Sequence, residues 1–143
     1  MPTKRAPAKK KPTPPPPAVV KLSAAVQRKV DALLVEVREH GLTYPGAHLK
    51  SPWPDHLDLA VDDKTFAYLS REGEPFGISC KLPHSASVAL MLPCCTPTGY
   101  GLGKSGWVSA KFPDASIPVD MVKAWIDESY RAQAKAKRIK QIP

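Results

Sequence analysis

Leu57-Asp-Leu-Ala-Val61, then Asp62-Asp-Lys64, Thr65-Phe-Ala-Tyr-Leu-Ser70, Arg71-Glu-Gly-Glu-Pro75 and Phe76-Gly-Ile-Ser-Cys-Lys-Leu82: this run decides the fold. Leu57, Leu59 and Val61 alternate with Asp58 and Ala60, and Phe76, Ile78, Cys80 and Leu82 alternate with Gly77, Ser79 and Lys81. A period of two with apolar residues on one side only marks antiparallel strands whose sheet has one covered face. Asp62-Asp-Lys64 and the segment around Gly73 supply turns, with Thr65 to Ser70 as the strand between them. Trp107 to Phe112 repeats the pattern as a fourth strand, with Val108, Ala110 and Phe112 on one side and Trp107, Ser109 and Lys111 on the other.

The period changes outside that core. Ser23 is a candidate cap for a helix running to about His40, with Gly41 as its stop. Val26, Val30, Leu33, Leu34 and Val37 make its apolar stripe. A last helix opens near Pro118 with Asp120 in its first turn, as helix polarity favours, and buries Val122, Trp125, Ile126 and Tyr130. Ser85 to Leu92 reads as a short helix, while 42–56 and the Gly-rich 93–106 read as loops. The order predicts an α+β, two-layer domain over 19–131, an antiparallel sheet with both long helices packed on one face.

The charges are segregated. Of 21 bases and 13 acids, giving +8, residues 1–18 hold Lys4, Arg5, Lys9, Lys10 and Lys11 with no acid. Residues 131–143 hold Arg131, Lys135, Lys137, Arg138 and Lys140, again with none. Eleven bases against thirteen acids leave the stretch between at −2. Cationic ends around a mildly acidic body suit a protein that grips a polyanion. Residues 1–18 are low complexity, and Pro14 to Pro17 favour polyproline geometry, so a disordered, semi-stiff basic arm is expected there. The bland alternative is a solubilising tail. Residues 132–143 read as a basic extension of the last helix.

Several classes fall away. No apolar run approaches the ~18 to 20 residues that span a bilayer, and the basic start has no apolar stretch behind it, so a cytoplasmic protein is expected. Cys80, His84, Cys94 and Cys95 match no paired-ligand zinc spacing, and reduced thiols are expected, with no metal and no cofactor. Thr98-Gly-Tyr-Gly-Leu-Gly-Lys-Ser105 ends like a phosphate loop, but position 98 lacks the required glycine and a strand-like run follows where a helix must begin. His40, His48, His56 and His84 lie at a helix end or in loops, and no nucleophile elbow or acidic pair accompanies them, so no enzyme is expected.

Basic residues beside aromatics remain. Trp107 and Lys111 share the strand face opposite Val108, with Tyr100 and Lys104 just upstream, and a ring flanked by cations can stack on a base and hold its phosphate. The favoured alternative is that Trp107 caps a sheet edge and packs beneath the Gly-rich loop, as large aromatics usually do. Arg131, Lys135 and Arg138 at i, i+4 and i+7 would form a basic stripe on a continuous helix, or a solvated end suited to the helix dipole.

Together these stretches resemble the MmcQ/YjbR family of small bacterial proteins. The likeness is carried by Ser51-Pro-Trp-Pro54, Lys64-Thr-Phe-Ala-Tyr-Leu69, Ile78-Ser-Cys-Lys81, Gly101-Leu-Gly-Lys104, Trp107-Val-Ser109 and Ile126-Asp-Glu-Ser-Tyr130, in the family's order over about residues 22–131. The family's Leu-Asn-Lys-x-x-Trp is met at Leu102, Lys104 and Trp107, with Gly103 in place of Asn, and Pro54 replaces the glycine usual after the tryptophan. The resemblance implies a frataxin/CyaY-like arrangement, also described as a double wing, to which DNA binding is ascribed, and no known enzymatic activity. A frataxin-like iron role is not expected, since Asp31, Glu36 and Glu39 are interleaved with Arg28, Lys29 and Arg38.

The sequence thus predicts a non-enzymatic protein that binds nucleic acid, DNA first and in that case associated with the nucleoid. Contacts would be mainly to phosphates, from Lys4, Arg5, Lys9, Lys10, Lys11, Lys104, Trp107, Lys111, Arg131, Lys135 and Arg138. The rival is a protein-interaction or small-ligand module that uses the open sheet face, its tails serving solubility.

Overall fold

Ser23 opens the first helix as expected: its hydroxyl accepts the Val26 N–H at 3.2 Å and caps α1, Ala24–Leu42. The computed structural model describes residues 21–52, 54 and 56–143; the expected arm with Lys4, Arg5, Lys9, Lys10 and Lys11 lies outside them. Val30, Leu34 and Val37 are buried along α1, with Val26 and Leu33 packed at the margin. Gly41 does not stop the helix. A Cβ there would stand 2.3 Å from Leu59 Cδ1, so glycine permits α1 to lie close on the sheet. The helix ends at Thr43, whose backbone N–H reaches the His40 carbonyl at 3.1 Å.

Six strands follow: β1 Ala47–Lys50, β2 Asp58–Val61, β3 Lys64–Leu69, β4 Gly77–Lys81, β5 Cys95–Pro97 and β6 Trp107–Lys111. They form one sheet in the order β1-β2-β3-β4-β6-β5, every neighbouring pair antiparallel. The expected four strands make its centre; β1 and β5, within segments read as loops, are its two edges. Asp62 and Asp63 both take left-handed backbone (φ 49° and 66°), the two-residue hairpin geometry that matches strand twist. The next hairpin is clamped from α1, where Asp31 accepts the Gly73 N–H and Gln27 donates to the Glu74 carbonyl.

One irregularity organises the sheet. Leu59 pairs with Ala67 while Ala60 pairs with Thr65, so Phe66 is an extra residue in β3, a bulge. Regular β3–β4 pairing starts only at Ala67 and Cys80. The next rung would join the Phe66 carbonyl to the Lys81 N–H. The Ser129 hydroxyl stands between them, donating to the first and accepting from the second at 2.8 Å.

Ser129 belongs to α3, Val119–Gln133, which lies beside α1 on the same sheet face. Val122, Trp125, Ile126 and Tyr130 join the α1 stripe and Leu59, Val61, Ile78, Cys80, Val108 and Ala110 in a single core. Tyr130 stacks on Tyr44 (4.7 Å between centroids) and donates its hydroxyl to the Pro45 carbonyl, fixing the turn into β1. The short helix is α2, Ala86–Ala89, shorter than the eight residues read for it.

The expected continuous basic helix end does not form. Ala134 (ψ 148°) and Lys135 (ψ 151°) are extended, and a separate turn, α4 Ala136–Ile139, begins beyond them. Arg131, Lys135 and Arg138 therefore share no helical stripe. The chain folds back: Arg138 meets the β2–β3 turn at Asp62 (3.4 Å), and Ile142 packs on the core.

Candidate nucleic-acid interface

The face of the sheet opposite α1 and α3 is set by register. Paired residues point the same way, so Lys81 and Trp107, Ser79 and Ser109, Gly77 and Lys111, Thr96 and Ser109, and Tyr68 and Ser79 all lie on it. A chain of hydroxyls crosses its middle: Ser79 Oγ to Ser109 Oγ at 2.6 Å, and Ser109 Oγ to Thr98 Oγ1 at 2.9 Å. Lys81 stands near one end of the strand pair and Lys111 at the other, Lys111 exposed and Lys81 half-buried.

Trp107 requires a correction as a stacking residue. It shares this face with Lys111 as predicted, but it is 5 % exposed, with the Tyr68 ring 5.4 Å away, and it offers no open ring to a base. Its backbone carbonyl holds Thr98 N–H at 3.1 Å and so anchors the Gly-rich loop. Tyr68, half-exposed, is the accessible aromatic of the face; it stands within the quoted Lys64–Leu69 stretch but was not singled out, because no local pattern announces which face a bulged strand shows.

The loop itself becomes a one-turn 3-10 helix, Leu102–Ser105, between Gly101 and Gly106, both left-handed. A strand follows at once, in place of the α-helix that a phosphate loop needs. Lys104 is exposed. Tyr100, two residues before Leu102, has φ 59° and projects fully into solvent. Non-glycine residues seldom hold that backbone region, which costs about 1–3 kcal/mol. The exposed aromatic–cation pair of the loop is therefore Tyr100 and Lys104.

Carboxylates are absent from β4, β5 and β6, whereas α1 carries Asp31, Glu36 and Glu39 and α3 carries Asp120, Asp127 and Glu128. Two of the α3 acids are engaged on their own side. Asp127 accepts from the Tyr44 hydroxyl at 2.8 Å and pairs with Arg131 at 2.9 Å; Glu128 accepts from the His84 and Ser85 amides and the Ser85 hydroxyl. Burial, then the bond to Asp127, holds the Tyr44 hydroxyl protonated well above the usual range. Of the predicted C-terminal bases, Arg131 and Arg138 thus face acids of this chain, and Lys135 is exposed.

A concavity of about 580 Å³ lies between Arg38 on α1 and the β3–β4 turn, bordered by His56, Arg71, Glu72 and Glu74. Its charges are mixed. Beside it Asp58 is fully buried, accepts the Leu69 N–H at 2.9 Å, and is pushed above the ordinary carboxyl range chiefly by burial. No helix among the described residues is long and apolar enough to cross a membrane.

A family model described as YjbR matches residues 42–132, from the end of α1 through α3. Among solved structures, the chain is similar to a protein from Pseudomonas syringae determined by the Northeast Structural Genomics Consortium. That pair is 16 % identical with a TM-score of 0.50, over 76 % of this chain and 97 % of the other, a likeness of fold. No curated protein matches.

Proposed function

The chain belongs to the YjbR family, and from that footing we propose that it is a non-catalytic nucleic-acid-binding protein, with duplex DNA as its first ligand. Lys81, Lys104 and Lys111 contact phosphates across the open sheet face. The five bases of residues 1–18 and the exposed Lys135, Lys137 and Lys140 add sequence-independent attraction. Tyr100, fully exposed, provides a ring to stack on an exposed base, with the half-exposed Tyr68 on the sheet face.

One observation carries this reading: carboxylates are distributed unevenly between the two faces. The three strands β4, β6 and β5 hold lysines and hydroxyls but no carboxylate, while the two long helices on the other face carry six acids among five bases. Phosphate contacts need cations and hydroxyl or amide donors and are weakened by nearby carboxylates. The same charges on a module that docks a neutral partner would have no reason to sort by face.

The test is the triple substitution Lys81→Ala, Lys104→Ala and Lys111→Ala in the full chain, read by anisotropy of labelled DNA over a salt series. Each lost phosphate contact removes about 0.9 from the log–log salt slope, so the variant should be shallower by about 2 to 3 and weaker on all sequences alike. Parental affinity with parental slope would remove the sheet face from the account.

A further inference from the structure

Cys94 and Cys95 are consecutive, both reduced, with their sulfurs 3.6 Å apart. Cys95 begins β5 and is 7 % exposed in the core, whereas Cys94 is half-buried at the surface. The backbone holds both in place. Cys95 N–H donates to the Leu92 carbonyl at 3.1 Å, the Cys94 carbonyl accepts Lys111 N–H at 3.0 Å, and Cys95 pairs with Ala110.

Two fates are open to such a pair, and geometry separates them. A disulfide must draw the sulfurs to about 2.05 Å and normally joins Cα atoms about 4.4–6.8 Å apart, while adjacent residues offer only about 3.8 Å. Closing it would strain the entry to β5. A single atom bound by both sulfurs asks for no such closure. Two sulfurs each about 2.3 Å from a three-coordinate pyramidal centre with bond angles of about 90–100° stand about 3.3–3.5 Å apart, close to the separation already present. Among the described residues no three His, Cys, Asp or Glu side chains gather around a common point, so the bridged atom must be content with two thiolates and a substituent of its own.

We propose that Cys94 and Cys95 form a vicinal-dithiol site for a trivalent arsenic compound of the type R–As=O. Cys94, the accessible thiol, adds first through sulfur to arsenic. Cys95 then displaces the oxygen. Two As–S bonds form, the As=O bond is lost, and the two thiol protons leave with the oxygen as one water; arsenic stays trivalent and sulfur is not oxidised. Burial, and then the hydrogen bond with Cys94, hold the Cys95 thiol well above the ordinary range, so it keeps its proton until the second step delivers it to the departing oxygen. Cys80, fully buried, takes no part.

The experiment uses the full chain and phenylarsine oxide, followed by intact mass spectrometry. A one-to-one adduct with loss of one water should survive excess monothiol and be removed by 2,3-dimercaptopropanol. Cys94→Ser and Cys95→Ser should each weaken retention about 100-fold or more, because one sulfur cannot chelate, and Cys80→Ser should not. Circular dichroism checks each variant. Should Cys95→Ser fail to fold, Cys94→Ser at the half-buried position decides alone. An adduct that monothiol strips from the parent, or that Cys94→Ser retains, would overturn the assignment.

Discussion

Ser129→Ala should be the most damaging single-atom deletion outside the apolar core. Ser129 has no exposed surface, and its hydroxyl is the common partner of the Phe66 carbonyl and the Lys81 N–H, where the bulge opens the β3–β4 ladder. Alanine leaves both backbone groups buried without a partner. At about 1–3 kcal/mol for each stranded group, the expected loss is about 2–6 kcal/mol, a large share of the ~5–15 kcal/mol that holds a domain together. Urea unfolding followed by tryptophan fluorescence gives the number, with the midpoint falling and the slope m unchanged. Ser129→Thr, which keeps the hydroxyl, should lose less. A loss below about 0.5 kcal/mol for alanine would refute the reasoning. It would mean that the strands close and the Phe66 carbonyl bonds Lys81 directly, so that the hydroxyl is a passenger rather than a rung.

Three further outcomes follow from the same geometry. Gly41→Ala drives a Cβ into the buried Leu59 side chain and should cost about 1–3 kcal/mol by the same unfolding assay; a neutral or stabilising result would show that α1 ends before Gly41 in solution. Asp58→Asn keeps an acceptor for Leu69 N–H and removes a buried charge. Because the folded carboxyl lies above its ordinary value of 3.8, the parent's contribution from this group is full below that pH and is lost as pH rises through the folded pKa. The variant's stability relative to the parent should therefore improve from about pH 4 to 7, and a gap that is flat or reversed over that window would contradict the sign. Tyr100→Gly should leave stability within about 0.5 kcal/mol, since relieved backbone strain offsets glycine's entropy, yet weaken single-stranded DNA binding by about 1 kcal/mol or more; undiminished affinity would dismiss the ring.

What was legible in the sequence was what long patterns carry. β2, β3, β4 and β6 and the stripes of α1 and α3 repeat over enough residues for periods of 2 and 3.6 to show. β1 and β5 were missed for a physical reason: they are the sheet's two edges, only four and three residues long, with prolines beside them and, in β5, at the last strand position. Short edges with proline nearby are how a sheet avoids pairing with strangers, and they leave no alternation to find. Gly41 looks like a stop because glycine usually is one; here its meaning depends on Leu59, eighteen residues away. The break at Ala134 and Lys135 falls on two strong helix formers. It is accompanied by the Arg138–Asp62 pairing and the docking of Ile142, neither of which any local window contains.

The same limit shaped the candidate site. Lys104 and Lys111 could be placed from motif and alternation. Lys81 was visible as an outward residue of its strand, but its membership of an acid-free face requires the β4–β6–β5 order, which sequence does not contain. Trp107 carried two readings until Tyr68 was found against its ring.

The central claim is charge-driven contact with nucleic acid, and the salt dependence of duplex DNA binding by the full chain tests it most directly. If the five bases of residues 1–18 and Lys81, Lys104 and Lys111 all approach phosphates, log Kobs against log salt should fall with a slope of about −7. Removing residues 1–18 should bring it to about −3, with unchanged melting of the folded domain. A slope shallower than about −1, or one that stays the same without residues 1–18, would contradict the account.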